Sequence, residues 1–63
     1  MIAQFVDSNA GTPVYINSSF VVSMRPDPED PHRLTDVKLK DGETIRVLGE
    51  HTEVADKLAH SAK

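Results

Sequence analysis

Cysteine is missing from these 63 residues. That excludes a disulfide frame and any zinc site built on thiolates. Aromatic side chains are scarce, with only Phe5, Tyr15 and Phe20 present, too few for the stacking platforms that single-strand binders place beside a basic groove. Gly11, Gly42 and Gly49 stand isolated, so neither a GxGxxG nor a GxxxxGK phosphate cradle is present. No apolar run approaches the ~20 residues that span a bilayer. The start, MIAQFVDSN, lacks the basic segment and long apolar run of a secretory signal. Positive charge is also in deficit: 7 Lys and Arg against 10 Asp and Glu give a net charge of −3. This balance disfavours general attraction to nucleic acid or anionic lipid. The expectation is a cytoplasmic protein with no membrane contact.

What is present fits one small domain, 1–63. A chain of this length exposes roughly 4,000 Å² when folded and hides about 60% of its extended surface. A core that small supports only ~3–5 kcal/mol of net stability. Without disulfides or a metal, a second copy of the chain is the expected supplement, and a homo-oligomer is the expected state.

The segment from Met1 to Val6 is apolar apart from Gln4 and reads as a strand. Asp7 to Gly11 is a cluster of turn formers. Pro13 opens a second strand, where its missing N–H is tolerated, and Val14 and Ile16 share a face opposite Tyr15. Asn17, Ser18 and Ser19 break that run. Phe20, Val22 and Met24 follow at period-two spacing, predicting a third strand with those three on one face. The stretch 25–33, RPDPEDPHR, holds three of the four prolines and reads as an acidic, solvated loop whose prolines keep Asp27, Glu29 and Asp30 apart.

The next hairpin is specified to its register. A three-residue loop, Lys40-Asp41-Gly42, is a type I turn closed by a left-handed glycine. It pairs Val37 with Ile45 and Thr35 with Val47 on one face, and Asp36 with Arg46 and Lys38 with Thr44 on the other. A slip of one residue would turn the aliphatic set to water. The Asp36–Arg46 face is expected to be solvated, its ion pair contributing a few tenths of a kcal/mol at most. After Gly49, residues 50–60 form an amphipathic helix with Val54 and Leu58 on its inner stripe and Thr52 as N-cap; Ser61 to Lys63 are expected to fray.

No chemistry of catalysis is assembled. The serines lie in turns, a strand or the tail with no histidine placed beside them, so no catalytic residue is assigned and the chain is not expected to be an enzyme. His32, His51 and His60 lack metal-ligand spacing, so no metal or cofactor is expected. One local signal remains: Arg25, Arg33, Lys38, Lys40 and Arg46 account for five of the seven cations, and the last three belong to one hairpin. Such a face could follow a phosphate backbone or dock a protein partner, although Asp36, Asp41 and Glu43 interleave with it.

The run of Met1-Ile2, Val14-Tyr15-Ile16-Asn17, Phe20-Val21, Thr35 to Gly42, Ile45-Arg46-Val47, Glu53-Val54 and Lys57-Leu58 resembles the FlbD/YlzI family of small bacterial proteins. That resemblance covers nearly the whole chain and implies an association with flagellar genes. The chain departs from the family pattern in the proline-rich loop and at Gly49-Glu50-His51. From Ile16-Asn17 to Leu58 it also resembles the C-terminal half of LytTR DNA-binding domains, but Thr12 to Tyr15 and Leu48 to Glu50 stand where those domains carry basic contacts.

The resulting expectation is a mainly β (α+β) fold: a small antiparallel meander or half-open barrel of about five strands with a short C-terminal helix. Its expected role is a non-enzymatic interaction or regulatory module that self-associates. The alternative is a nucleic-acid-binding regulator using the basic face of the 34–48 hairpin.

Overall fold

Five strands and one helix follow one another in the order anticipated. The structure, a computed structural model, describes residues 2–61. Met1 and the last two residues lie outside the described set, and with them the strand assignment of Met1 and the fraying expected of the tail's end. Strands β1 (Ile2–Val6) and β2 (Pro13–Asn17) form an antiparallel ribbon. A single 3-10 turn, Ser18–Phe20, leads into β3 (Val21–Pro26), which pairs with β4 (Leu34–Leu39), and β4 pairs with β5 (Thr44–Leu48). Helix α1 (His51–Ser61) packs across the ribbon and the three-stranded sheet. The two sheets meet at one antiparallel bridge, Asp7 to Val47, reinforced where the Ser8 N–H donates to the Arg46 carbonyl at 3.0 Å.

Binary patterning explains why the ribbon and the sheet close on each other. Ala3, Phe5 and Ile16 point inward from the ribbon, Val37, Leu39 and Val47 from the sheet, and Val54 and Leu58 from the helix; together they make the core. Fully burying one such aliphatic or aromatic side chain contributes ~1.5–3 kcal/mol. The total accessible area is 4118 Å², as expected for a chain of this length.

The β4–β5 register is the one the aliphatic pattern demands: Val37 faces Ile45, Thr35 faces Val47, Asp36 faces Arg46 and Lys38 faces Thr44. Val37 and Val47 are fully buried, Leu39 nearly so, and Ile45 packs half-buried against them. At the bend the Gly42 N–H donates to the Leu39 carbonyl at 3.0 Å, and the Leu39 N–H to the Glu43 carbonyl at 2.8 Å. Gly42 has φ +89°, the left-handed region that such a loop requires.

Three local expectations are corrected. Phe20 ends the 3-10 turn rather than starting a strand, because the Asn17 side chain accepts from the Ser19 N–H and winds the chain first. The β3–β4 ladder then shifts register between Val21 and Ser23. Such a bulge reverses the alternation, so Val21 and Met24 pack on the core while Val22 is 59% exposed. The helix begins at His51, and Glu50 takes the capping role expected of Thr52: its carboxylate accepts from the Thr52 N–H at 2.8 Å and from the Thr52 hydroxyl. The third correction concerns the acidic loop.

Thr35 illustrates how a buried polar group is accommodated. Its hydroxyl has no access to water and donates to the Gly49 carbonyl at 2.8 Å. The Gly49 N–H in turn donates to the Arg33 carbonyl at 2.7 Å. These bonds tie the entry of β4 to the junction between β5 and α1.

Candidate functional site

Two surfaces carry whatever this molecule presents to a partner: the outer face of the three-stranded sheet and the outer face of the ribbon. On the sheet, the ladders align Arg25, Asp36 and Arg46 in one row and Ser23, Lys38 and Thr44 in the next. Both rows point away from the core. β3 continues pairing one residue past its end, where the Asp27 N–H donates to the Leu34 carbonyl at 3.1 Å. Two residues beyond Arg25, the Asp27 side chain falls on the same outer face and reaches Arg46.

The loop is solvated along Pro28, Glu29 and Pro31 to Arg33, as expected, but its first aspartate is not, and the Asp36–Arg46 pair is half-buried rather than open to water. Asp27 is 0% exposed and pairs with the Arg46 Nε, while Asp36 Oδ1 lies 3.5 Å from the same nitrogen. The other Asp27 oxygen, Oδ1, accepts from the Glu29 N–H at 2.7 Å, an Asx turn that starts the loop. The carboxylate that Asp27 meets comes from outside the loop: the ladder brings it to Asp36 on β4. Burial pushes the Asp27 carboxyl up, but hydrogen bonds from Glu29 and Asp36 and the Arg46 charge outweigh it and hold it below its ordinary value. Asp36 goes the other way: burial, the hydrogen bond to Asp27 and the Asp27 charge raise it, against the opposing pull of Arg46.

This pairing redistributes the predicted basic set. Arg46 is spent on the two aspartates, with its side chain 35% exposed. Arg33 pairs with Asp30 at 3.1 Å on the loop. Arg25 and Lys38 remain exposed and share a shallow cleft with Asp36, Gly42 and Thr44. Lys40 is exposed at the turn, where its N–H donates to the Phe20 carbonyl. The structure thus leaves Arg25, Lys38 and Lys40 outward, keeps Arg33 exposed in a surface pair with Asp30, and draws only Arg46 into a buried cluster.

The ribbon presents different chemistry. Its register places Ile2, Gln4, Val6, Pro13, Tyr15 and Asn17 on the face opposite Ala3, Phe5, Val14 and Ile16. All six are exposed, Ile2 at 66% and Tyr15 at 65%. Apolar groups thus lie on both sides of this ribbon, and one side has no cover among the described residues. The first strand's alternation breaks down in sequence because Ile2 and Val6 are apolar on the outer face too; that double-sided apolarity is the signal of this surface. Beside it, Lys57 lies 5.1 Å from the Phe5 ring centroid and its ammonium donates to the Gln4 carbonyl, a cation–π contact and a hydrogen bond that fasten α1 to β1.

Among the described residues no group of three or more His, Asp or Glu side chains is placed to hold a metal ion, and no helix is long and apolar enough to cross a membrane. Fold and surface define a small, mainly β domain of two antiparallel sheets closed by a C-terminal helix. Comparison of the chain with protein-family models, curated proteins and solved structures finds no match.

Proposed function

We propose that this protein is a non-enzymatic interaction module that associates with a second copy of itself through the outer face and free edge of the β1–β2 ribbon. The observation that carries this reading is the row of Ile2, Val6, Pro13 and Tyr15, apolar and exposed on one side of a ribbon whose other side is already the core. Burying such a row against its symmetry mate removes apolar surface from water and supplements a core that is small for a free-standing domain. The edges point the same way. β2 has no strand on its outer side among the described residues, and an unpaired edge is a template for another chain. The bulge at Val22 blunts the corresponding edge of β3. Nucleic-acid binding through the sheet face is the weaker reading, because Arg46 is committed to two aspartates and the chain's net charge is −3. The resemblance to the FlbD/YlzI family supports a bacterial, flagellar-gene setting for the module under this proposal, and the lack of cysteine supports the cytoplasm as its compartment.

Sedimentation velocity over a dilution series tests the proposal, with wild type compared with Tyr15→Lys. Wild type is expected to pass from dimer to monomer on dilution, and the variant to be monomeric throughout with an unchanged far-UV spectrum. A wild-type monomer at high micromolar concentration overturns the reading. A variant that dimerises as wild type does overturns the assignment of the face. Binding of mixed oligonucleotides that weakens steeply with salt would move the function to the sheet face instead.

A further inference from the structure

We propose that Asp36 is a proton-operated latch on the 27–33 loop: with one proton bound it donates to Asp27 and pins the loop's first residue to the sheet, and on losing that proton it loosens the loop. The geometry poses a charge problem. Asp27 and Asp36 both address the Nε of Arg46, so two anions converge on one cation where Asp27 has no access to water and the Asp36 side chain is 19% exposed. Asp27 Oδ2 and Asp36 Oδ1 are buried beside the Arg46 Nε, yet neither has a hydrogen-bond partner among the described groups. Excess negative charge in such a place is costly, and carboxylates that share a site resolve it by sharing a proton. A proton taken from solvent by the Asp36 carboxylate brings the cluster of Asp27, Asp36 and Arg46 from a net charge of −1 to zero. It also supplies the donor that the Asp27 oxygen lacks.

The surrounding charges do not remove the problem. From β3, Arg25 is opposite Asp36 in register but exposed, and among the described residues it forms no ion pair. Lys38 is on the same strand as Asp36, also exposed, and lines the cleft with Arg25. On the loop side Asp30 and Arg33 neutralise each other. The opposite directions in which the two aspartates are displaced, Asp27 down and Asp36 up, agree with this division of labour. The loop is what the latch controls. Asp27 is its first residue, the Glu29 N–H is bound to the Asp27 carboxylate, and the Arg33 and Leu34 N–H groups close its far end on the Asp30 carbonyl.

Because Asp36 binds its proton more tightly in the closed form, the stabilisation is complete below the ordinary aspartate value and is lost as pH rises through the raised value. Two measurements test this. Carbon-13 titration of the aspartate carboxyls is expected to show a coupled pair, with one step above the peptide value of ~3.9. Hydrogen exchange at the Glu29 amide, corrected for its intrinsic pH dependence, is expected to lose about tenfold protection from weakly acid to neutral pH, the factor equivalent to one pK unit of linkage. Asp36→Asn, whose amide donates permanently to Asp27, is expected to abolish that pH dependence. The proposal is overturned if both steps of the pair fall at or below the peptide value. Flat Glu29 protection in wild type, or an unaltered pH dependence in Asp36→Asn, overturns it equally. Should the variant not fold, the two wild-type measurements decide.

Discussion

Replacing Gly42 by alanine of either hand isolates the backbone term on which the β4–β5 register depends. Gly42 sits at φ +89°, and a Cβ added there as L-alanine meets nothing within 4 Å. Steric collision with neighbours therefore contributes nothing, and the cost is that of holding an L-residue in the left-handed region, about 1–2 kcal/mol. Against a net stability of ~3–5 kcal/mol for a domain of this size, that is a large share. One kcal/mol moves the thermal midpoint of a 60–100-residue domain by roughly 4–8 °C, so Gly42→Ala is expected to lower it by on the order of 10 °C. D-alanine at the same position has the opposite preference. It keeps the native bend and narrows the unfolded ensemble, which stabilises by about 0.4–1 kcal/mol. A chain of 63 residues is within reach of chemical synthesis, and thermal circular dichroism of the three chains reads the result. Equal shifts for the two enantiomers, or no loss with the L-residue, would refute the left-handed bend and with it the pairing that brings Asp36 opposite Arg46.

The other expectations concern the polar groups that hold the ends of elements. Thr35→Val keeps the shape of a buried side chain but leaves the Gly49 carbonyl without its hydroxyl donor, a loss of about 1–3 kcal/mol; urea unfolding at unchanged m-value measures it, and a variant as stable as wild type contradicts the role given to that bond. The hydroxyl and amide of Thr52 hold the Glu50 carboxyl below its ordinary value. Its contribution is therefore present above the ordinary glutamate range and disappears as pH falls through the lowered one. Glu50→Ala is accordingly expected to melt a few degrees below wild type at neutral pH, with the gap closing in acid, whereas a gap independent of pH would show that the carboxylate is not the cap. The Tyr15→Lys and Asp36→Asn experiments stand with their proposals above.

Local chemistry reaches as far as single elements and their nearest partner. The hairpin from Leu34 to Leu48 is legible in the chain because its aliphatic alternation and one glycine leave a single register that buries Val37, Leu39 and Val47 together. The β1–β2 turn, the third strand and the helix are legible for similar reasons, from turn formers and from the spacing of Val54 and Leu58. Where side-chain capping competes with pattern, local reading misplaces the boundary: Asn17 winds Ser18–Phe20 before β3 can begin, and Glu50 starts the helix ahead of Thr52.

The candidate sites divide along the same line. The exposed apolar face of the ribbon is written in the alternation of β1 and β2, since Ile2, Val6 and Tyr15 are apolar on the side opposite Ala3, Phe5 and Ile16. The Asp27–Asp36–Arg46 cluster is not. Its members come from the loop after β3, from β4 and from β5, and nothing in RPDPEDPHR says that the loop's first aspartate continues the β3 ladder. That depends on where β3 lies along β4, which a bulge at Val22 shifts by one residue. Sequence alone determined the order of elements along the chain, one hairpin register and the inward side of β4, β5 and the helix, because those follow from short-range sterics and from hiding aliphatic groups. Only the tertiary structure decided which charges are withdrawn and which remain free, because burial of a carboxylate depends on residues far away along the chain.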